Sequence, residues 1–365
     1  MSQGSGSAPH PSCKVILAGT IAKGLLAEVQ AGLKELDRKP HLLGILANND
    51  PAARVYADWT EKTCRENGFA YTLQQAAKDS VEEVLLAANA NPTYDGIIIY
   101  YPIFNNRGQD QYIQNIVSLS KDVEGLSHQY IFNMYQNIRF LDEAQMMKSI
   151  LPCTPLAVIK ILEFLHIYNT ILPYGNRLFG RTICVVNRSE VVGRPLAALL
   201  ANDGACVYSV DVTGVQQFTR GEGIRKRKHE VVEKDGWTIE DCAPLCDVVI
   251  TGVPGETYKF PCHLLKEGAV CINFSSEKNF PPEVKEKASI YVPAIGKVTI
   301  VVLLRNLLRI VQNRQAQQSQ LRASSSSAAA AAAVAHGSAT QAEATNNTAG
   351  GDGTKSDATL NGAAT

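Results

Sequence analysis

Apolar positions along the chain fall into short runs and striped segments that alternate. His41–Ala47 is a continuous apolar run that ends in Asn48-Asn49-Asp50-Pro51. Asp50 is suited to cap a helix, and proline is best tolerated in a helix's first turn, so the spacing predicts a helix from Pro51 to about Asn67, closed by Gly68. Phe69–Leu73 reads as a strand, Val81–Ala90 as a helix, Gly96–Tyr101 as a buried strand stopped by Pro102, and Asp110–Ser118 as a helix. A second series follows Pro152. A helix opens at Thr154-Pro155, with Leu156, Ile159, Leu162, Phe164 and Leu165 as its apolar positions. Strands are expected at Thr182–Val186, Ala205–Val210, Asp247–Thr251 and Ala269–Asn273, with a helix over Val191–Asn202 and an apolar-striped helix over Val298–Val311. Strands without alternation are those buried on both faces, and the βα rhythm implies parallel sheets covered by helices.

The expected architecture is therefore α/β with two domains. An N-terminal α/β substrate domain covers residues 1–155, to which a helix over 296–320 returns. A doubly wound, Rossmann-like domain covers 156–295. Residues 323–365 have no aromatic residue and one leucine, with a serine run at Ser324–Ser327 and an alanine run at Ala328–Ala333. Such a segment cannot bury enough apolar surface to offset its ordering entropy, so it reads as a disordered tail in which the alanines form at most a transient helix.

Charge narrows the partners. Lys plus Arg equals Asp plus Glu at 35 each, which argues against a nucleic-acid surface or an anionic membrane. The basic cluster Arg225–His229 sits among glutamates and reads as a solvated loop. No run is long and apolar enough to span a bilayer, and Met1–Pro11 has no apolar signal core. The nine cysteines include no CxxC pair, and Cys242 and Cys246 lack a zinc-spaced partner pair, so no metal site is expected. Free thiols of this number fit a reducing compartment, and the cytoplasm is the expected location, with a nuclear pool left open.

Candidate chemistry lies at strand ends. Asn187-Arg188-Ser189-Glu190-Val191-Val192-Gly193-Arg194-Pro195 follows a strand and opens a helix. Dinucleotide binding needs a tight turn and a helix N-terminus aimed at the pyrophosphate. Asn187 and Ser189 stand where the first two glycines of GxGxxG are usual, and Gly193 supplies the close approach; a plain strand–helix connection would look similar. The next strand ends at Asp211, about 20 residues past the turn, where an acid accepts the ribose hydroxyls of NAD and repels the 2′-phosphate of NADP. Arg188, Ser189, Gly193, Asp211 and its neighbour Val212 are the candidate NAD contacts. Gly252, Phe274, Ser275 and Ser276, at two further strand ends, complete them, with Phe274 bordering the nicotinamide.

Tyr56, Lys121-Asp122-Val123-Glu124-Gly125, Pro152-Cys153-Thr154-Pro155, Arg188-Ser189-x-x-Val192-Gly193-x-Pro195 and Pro293-x-x-Gly296-Lys297-Val298-Thr299 stand in one order over about residues 40–310. In this the sequence resembles the tetrahydrofolate dehydrogenase/cyclohydrolase family, and is most similar to its monofunctional, NAD-dependent members. The resemblance implies hydride transfer from 5,10-methylenetetrahydrofolate to NAD, in one-carbon metabolism feeding purine synthesis, by a homodimer. It implies that Tyr56 stacks on the pterin, that Asp122 hydrogen-bonds it, and that Cys153 is an active-site residue. Two positions depart from the bifunctional pattern. Thr60 stands where the family lysine tied to methenyl hydrolysis is expected, and Tyr100 replaces a glutamine. Dehydrogenation without cyclohydrolase activity is the expectation; a bifunctional enzyme with a substitute base and a catalytically silent NAD-binding protein are the alternatives.

Overall fold

The computed structural model describes residues 13–104, 106–221 and 226–346, with side chains described to residue 325. Elements run in the order β1 (Lys14–Val15), α1 (Ala18–Leu33), β2 (His41–Leu46), α2 (Pro51–Glu66), β3 (Ala70–Gln75), α3 (Val81–Ala90), β4 (Gly96–Ile99), α4 (Arg107–Ile116), α5 (His128–Tyr135) and α6 (Cys153–Phe164). Then follow β5 (Thr182–Val186), α7 (Gly193–Asn202), β6 (Cys206–Asp211), β7 (Gly214–Thr219), β8 (Glu230–Glu233), α8 (Ile239–Cys242), β9 (Val248–Thr251), β10 (Val270–Asn273), α9 (Val284–Lys287), β11 (Ile290–Val292) and α10 (Gly296–Asn346).

The strands form two sheets. A three-stranded parallel sheet has the order β3-β2-β4, and an eight-stranded sheet has the order β1-β11-β10-β9-β5-β6-β7-β8. The apolar runs that predicted strands occupy the middle of each sheet: every residue of β4, β9 and β10 is buried. Local signals hold too. The Asp50 side chain accepts the Ala52 N–H at 2.9 Å, Pro51 opens α2, and Gly68 takes the positive φ of 86° that ends it.

Three features depart from the expected pattern. β7 and β8 are antiparallel, so the large sheet is mixed. Alternating polar residues mark this hairpin as an edge rather than a buried strand, since β8 is exposed throughout. β1 lies in the sequence of the first domain yet pairs with β11 in the large sheet, a long-range match that two residues do not announce. The basic cluster is only partly solvated. Lys226 pairs with Glu230 at 2.6 Å at the surface, whereas His229 is buried with its ring stacked on Phe218; Arg225 lies outside the described residues.

The described residues up to Arg314 form one compact unit, whose core runs from the β2–β4 sheet through α6 and α10 to the faces of β5 and β9. Gln315–Thr365 is a second unit. Within it the backbone is helical to Asn346, in keeping with the helix propensity of alanine, and Gln317–Ser325 are exposed. Residues 347–365 of the expected tail lie outside the described residues.

Candidate active site

The large sheet changes winding direction between β5 and β9, since β6 follows on one side of β5 and β9 on the other. Ligands of doubly wound sheets bind at that crevice, beyond the strand carboxyl ends. The loop after β5 lies there. Asn187 holds a φ of 94°, a conformation that asparagine tolerates better than most side chains, and so does the work of a turn glycine. Its amide donates to the Gly252 carbonyl, tying the loop after β5 to that after β9. Gly193 opens α7, and a Cβ there would lie 1.7 Å from the Asn187 carbonyl oxygen. The tight curl thus depends on a missing side chain and aims the α7 N-terminus outward. The turn fits a dinucleotide phosphate by shape, and the buried Thr251 hydroxyl at the end of β9 has no partner among the described residues.

Asp211 sits at the end of β6, accepting the Arg188 N–H at 2.6 Å and the Val212 N–H at 2.7 Å. The carboxylate is therefore fixed at the crevice, beside a fully exposed Val212. Arg188 also has a structural task. Its guanidinium donates to the carbonyls of Ser209 and Gly214, each at 2.7 Å, and braces the β6–β7 turn. Ser189 shapes the turn, accepting the Gly193 N–H at 3.2 Å. Gly252 also has a different reason to be glycine, because a Cβ there would lie 1.8 Å from the Phe274 ring. The Phe274 ring makes the close approach to its backbone. Ser275 donates to the Val253 carbonyl at 2.9 Å, while Ser276 stays at the exposed loop end. Asn273, not foreseen, holds this loop by donating to the carbonyls of Glu277 and Pro293.

The other cluster lies at the ends of β2 and β4. Tyr56 and Thr60 share one face of α2, a turn apart. Tyr56 meets Tyr100 edge-on, with centroids 5.9 Å apart. Thr60 is fully buried, and its hydroxyl donates to the Tyr56 carbonyl at 2.8 Å. The Tyr100 hydroxyl pairs with that of Tyr71 at 2.9 Å. Sequence reading missed Tyr71; the available signal is Gly44 on the neighbouring strand, where a Cβ would lie 2.4 Å from the Tyr71 hydroxyl. Burial pushes the phenols of Tyr56, Tyr71 and Tyr100 upward, so all three are neutral. Lys62 is exposed and pairs weakly with Glu66.

The cluster holds two acids, Asp122 and Glu124. Both Asp122 oxygens serve their own loop, accepting the N–H groups of Gly125 at 2.8 Å and Ser127 at 2.9 Å. Glu124 accepts the Ile99 N–H at 3.1 Å, and its second oxygen has no partner among the described residues. Burial raises its carboxyl to about 8, with the nearby Asp122 charge adding to the shift. The Tyr101 hydroxyl, in the same acidic surroundings, is buried without a partner. The buried, unpaired Tyr101 hydroxyl beside this carboxyl marks where a polar ligand belongs. Cys153 opens α6 with its thiol on the Val123 carbonyl at 3.2 Å. Burial and the charges of Glu124 and Asp122 push it well up, so it is a neutral thiol and no nucleophile. Asn306 of α10 fixes this junction by donating to the carbonyls of Val123 and Leu151, each at 2.9 Å.

A dinucleotide turn at the switch point of one sheet and a buried aromatic–acid cluster at the strand ends of the other define a two-site α/β enzyme of the dehydrogenase type. The chain belongs to the tetrahydrofolate dehydrogenase/cyclohydrolase family: residues 16–124 match the model of its catalytic domain and residues 152–224 that of its NAD(P)-binding domain. It is 57% identical to the methylenetetrahydrofolate dehydrogenase [NAD(+)] of Schizosaccharomyces pombe over 85% of this chain and 97% of that one. With the enzyme of that name from Saccharomyces cerevisiae the identity is 54%, over 82% and 96%. The solved structure of the Saccharomyces cerevisiae NAD-dependent 5,10-methylenetetrahydrofolate dehydrogenase superposes with a TM-score of 0.80 at 53% identity, covering 84% of this chain and 99% of that chain.

Proposed function

We infer that the chain is an NAD-dependent methylenetetrahydrofolate dehydrogenase, oxidising 5,10-methylenetetrahydrofolate to the methenyl form. Identity above 50% over nearly the whole length of relatives with this activity carries the reading. NAD supplies the hydride acceptor. The methylene carbon loses a hydride between two nitrogens that share the resulting positive charge, so no protein base is needed at that step. The residues' task is positioning and electrostatics. Tyr56 offers a ring face to the pterin. Asp122, fixed by its own loop, and Glu124, with a carboxyl oxygen free of described protein partners, face its polar edge, and Glu124 in ionised form favours the cation. Asp211 presents a fixed negative charge to the ribose, which favours NAD over NADP.

The chain lacks cyclohydrolase activity in this reading, and one observation carries it. The helix position one turn after Tyr56 is a buried threonine whose hydroxyl is already donated, roofed by the paired phenols of Tyr71 and Tyr100. No amine is available there to take a proton during water attack. The homodimer implied by the family and a reducing, cytoplasmic setting for the nine free cysteines belong to the same proposal.

NADH absorbance with methylenetetrahydrofolate tests the first statement, and decay of the methenyl product tests the second. Enzyme-dependent decay above the buffer rate, abolished by a pocket substitution, would overturn the loss of hydrolysis. Thr60→Lys should add little hydrolysis alone, because the Tyr71–Tyr100 roof leaves a long side chain no room.

A further inference from the structure

A crevice that adjoins the substrate cluster only through Leu151 and Asn306 lies where α5, α6 and α10 meet the segment before β5. Neither Tyr56 and Glu124 nor Gly193 and Asp211 line it. Its volume is about 140 Å³, and six cationic side chains border it against two carboxylates, Glu163 and Asp203. Three of the cations have local partners. Arg139 pairs with Asp203 and Lys160 with Glu163, each at 2.6 Å, and Arg305 pairs with Glu28 at 3.1 Å. The other three, Lys148, Arg177 and Arg309, have no ion pair among the described residues. The Arg177 Nε is buried and lacks any hydrogen-bond partner. Cations crowd one another here: burial and then the guanidiniums of Arg309 and Arg305 lower the Lys148 ammonium, and Arg309 is lowered by burial and by Arg305.

We propose that this crevice binds a small oxyanion carrying several negative charges. Three cations without an ion pair, from separate segments, converge on one concavity; Arg177, over the Tyr174 ring at 5.7 Å, keeps an orphaned guanidinium donor, and together they are the complement of such a ligand. Two of the three are arginines, whose planar forks suit phosphate or carboxylate oxygens. Size sets an upper limit. The cavity is below the ~300–1,000 Å³ of drug-sized sites, so it takes an ion of pyrophosphate or tricarboxylate dimensions and excludes a whole dinucleotide.

Titration calorimetry with inorganic pyrophosphate tests the proposal on the full-length protein saturated with NAD, which removes the phosphate-binding turn from competition. Potassium chloride of equal ionic strength is the control. Heat of binding is expected with a stoichiometry of one per chain, and Lys148→Gln/Arg309→Gln should weaken it about tenfold or more, as losing charge-assisted contacts does. The KM for NAD should stay unchanged, which keeps this result separate from the proposed dehydrogenase activity. Citrate in a parallel titration separates the sources: tighter binding of pyrophosphate identifies a phosphate ligand, and tighter binding of citrate a polycarboxylate. No heat beyond the salt control, or equal binding by the double variant, overturns the proposal. A change in the double variant's solution mass would overturn it as well, because a carboxylate of a second copy would then fill the crevice.

Discussion

The two clusters of the active site are built on opposite principles. On the cofactor side, backbone shape does the work. Asn187 and Gly193 curl the chain, Asn187 ties two loops together, and Asp211 is held by main-chain N–H groups. On the substrate side, buried side chains do it. Tyr56, Thr60, Tyr71, Tyr100 and Glu124 are chemically specific groups with few alternatives in their surroundings. A backbone-built site fails sharply when a single Cβ is added and tolerates changes in side-chain chemistry. A side-chain-built site behaves in the reverse way: its chemistry can be changed by exchanging a few residues while the fold stands.

The sharpest break should come from Gly193→Ala. The new Cβ would meet the Asn187 carbonyl, so the turn must open; NAD binding should fall about a hundredfold or more, and the melting temperature should drop. NAD titration and thermal unfolding check both. Near-normal NAD affinity would show that the curl is not what binds the phosphates.

Asp211→Ser should cost less, about tenfold in NAD affinity, the scale of losing a charge-assisted hydrogen bond. Preference for NAD over NADP should narrow at the same time. A wild-type protein that uses NADP as well as NAD would remove Asp211 from the argument.

Glu124 gives a pH signature of a few fold. Its carboxyl titrates at about 8, so kcat/KM should rise as pH passes through that value and the carboxylate forms beside the developing cation. Glu124→Gln should flatten this limb. Stability has the opposite sign. The folded state holds this proton more tightly than the unfolded state, whose carboxyl titrates near its ordinary value. The side chain therefore costs nothing below that value, costs progressively more as pH rises to about 8, and costs a constant amount above it. Glu124→Gln should accordingly melt higher than wild type at pH 9 and no higher at pH 4. A pH-independent difference in melting temperature would remove the titration from the account.

The smallest effect is expected from truncation after Gln320. Gln317–Ser325 are exposed, so activity and melting temperature should stay nearly unchanged. A fall of several degrees would show that the removed segment packs.

Much of this was legible in the chain itself. Strand positions were readable because runs such as Gly96–Ile99 and Val270–Asn273 are apolar without alternation, and the α2 boundaries because Asp50, Pro51 and Gly68 act within one turn of the backbone they control. The RSxxVGxP turn, the spacing to Asp211 and the threonine in place of lysine were equally local. What sequence reasoning could not reach was long-range. Asp122 and Glu124 sit in one pentapeptide, and only the tertiary structure decides which carboxylate caps the loop and which one keeps an oxygen free. Arg188 reads as a cofactor contact in the sequence, and only the antiparallel return of β7 shows that its guanidinium also braces the β6–β7 turn. Tyr71 and Gly44 meet only because β2 and β3 pair, and β1 finds its partner far along the chain, Lys14 opposite Ile290. The sequence by itself determined the elements and the turn chemistry, because those depend on neighbours along the chain. Which polar groups are satisfied, and which are left to face a ligand, was decided by contacts between distant segments, where burial makes each unpaired group costly.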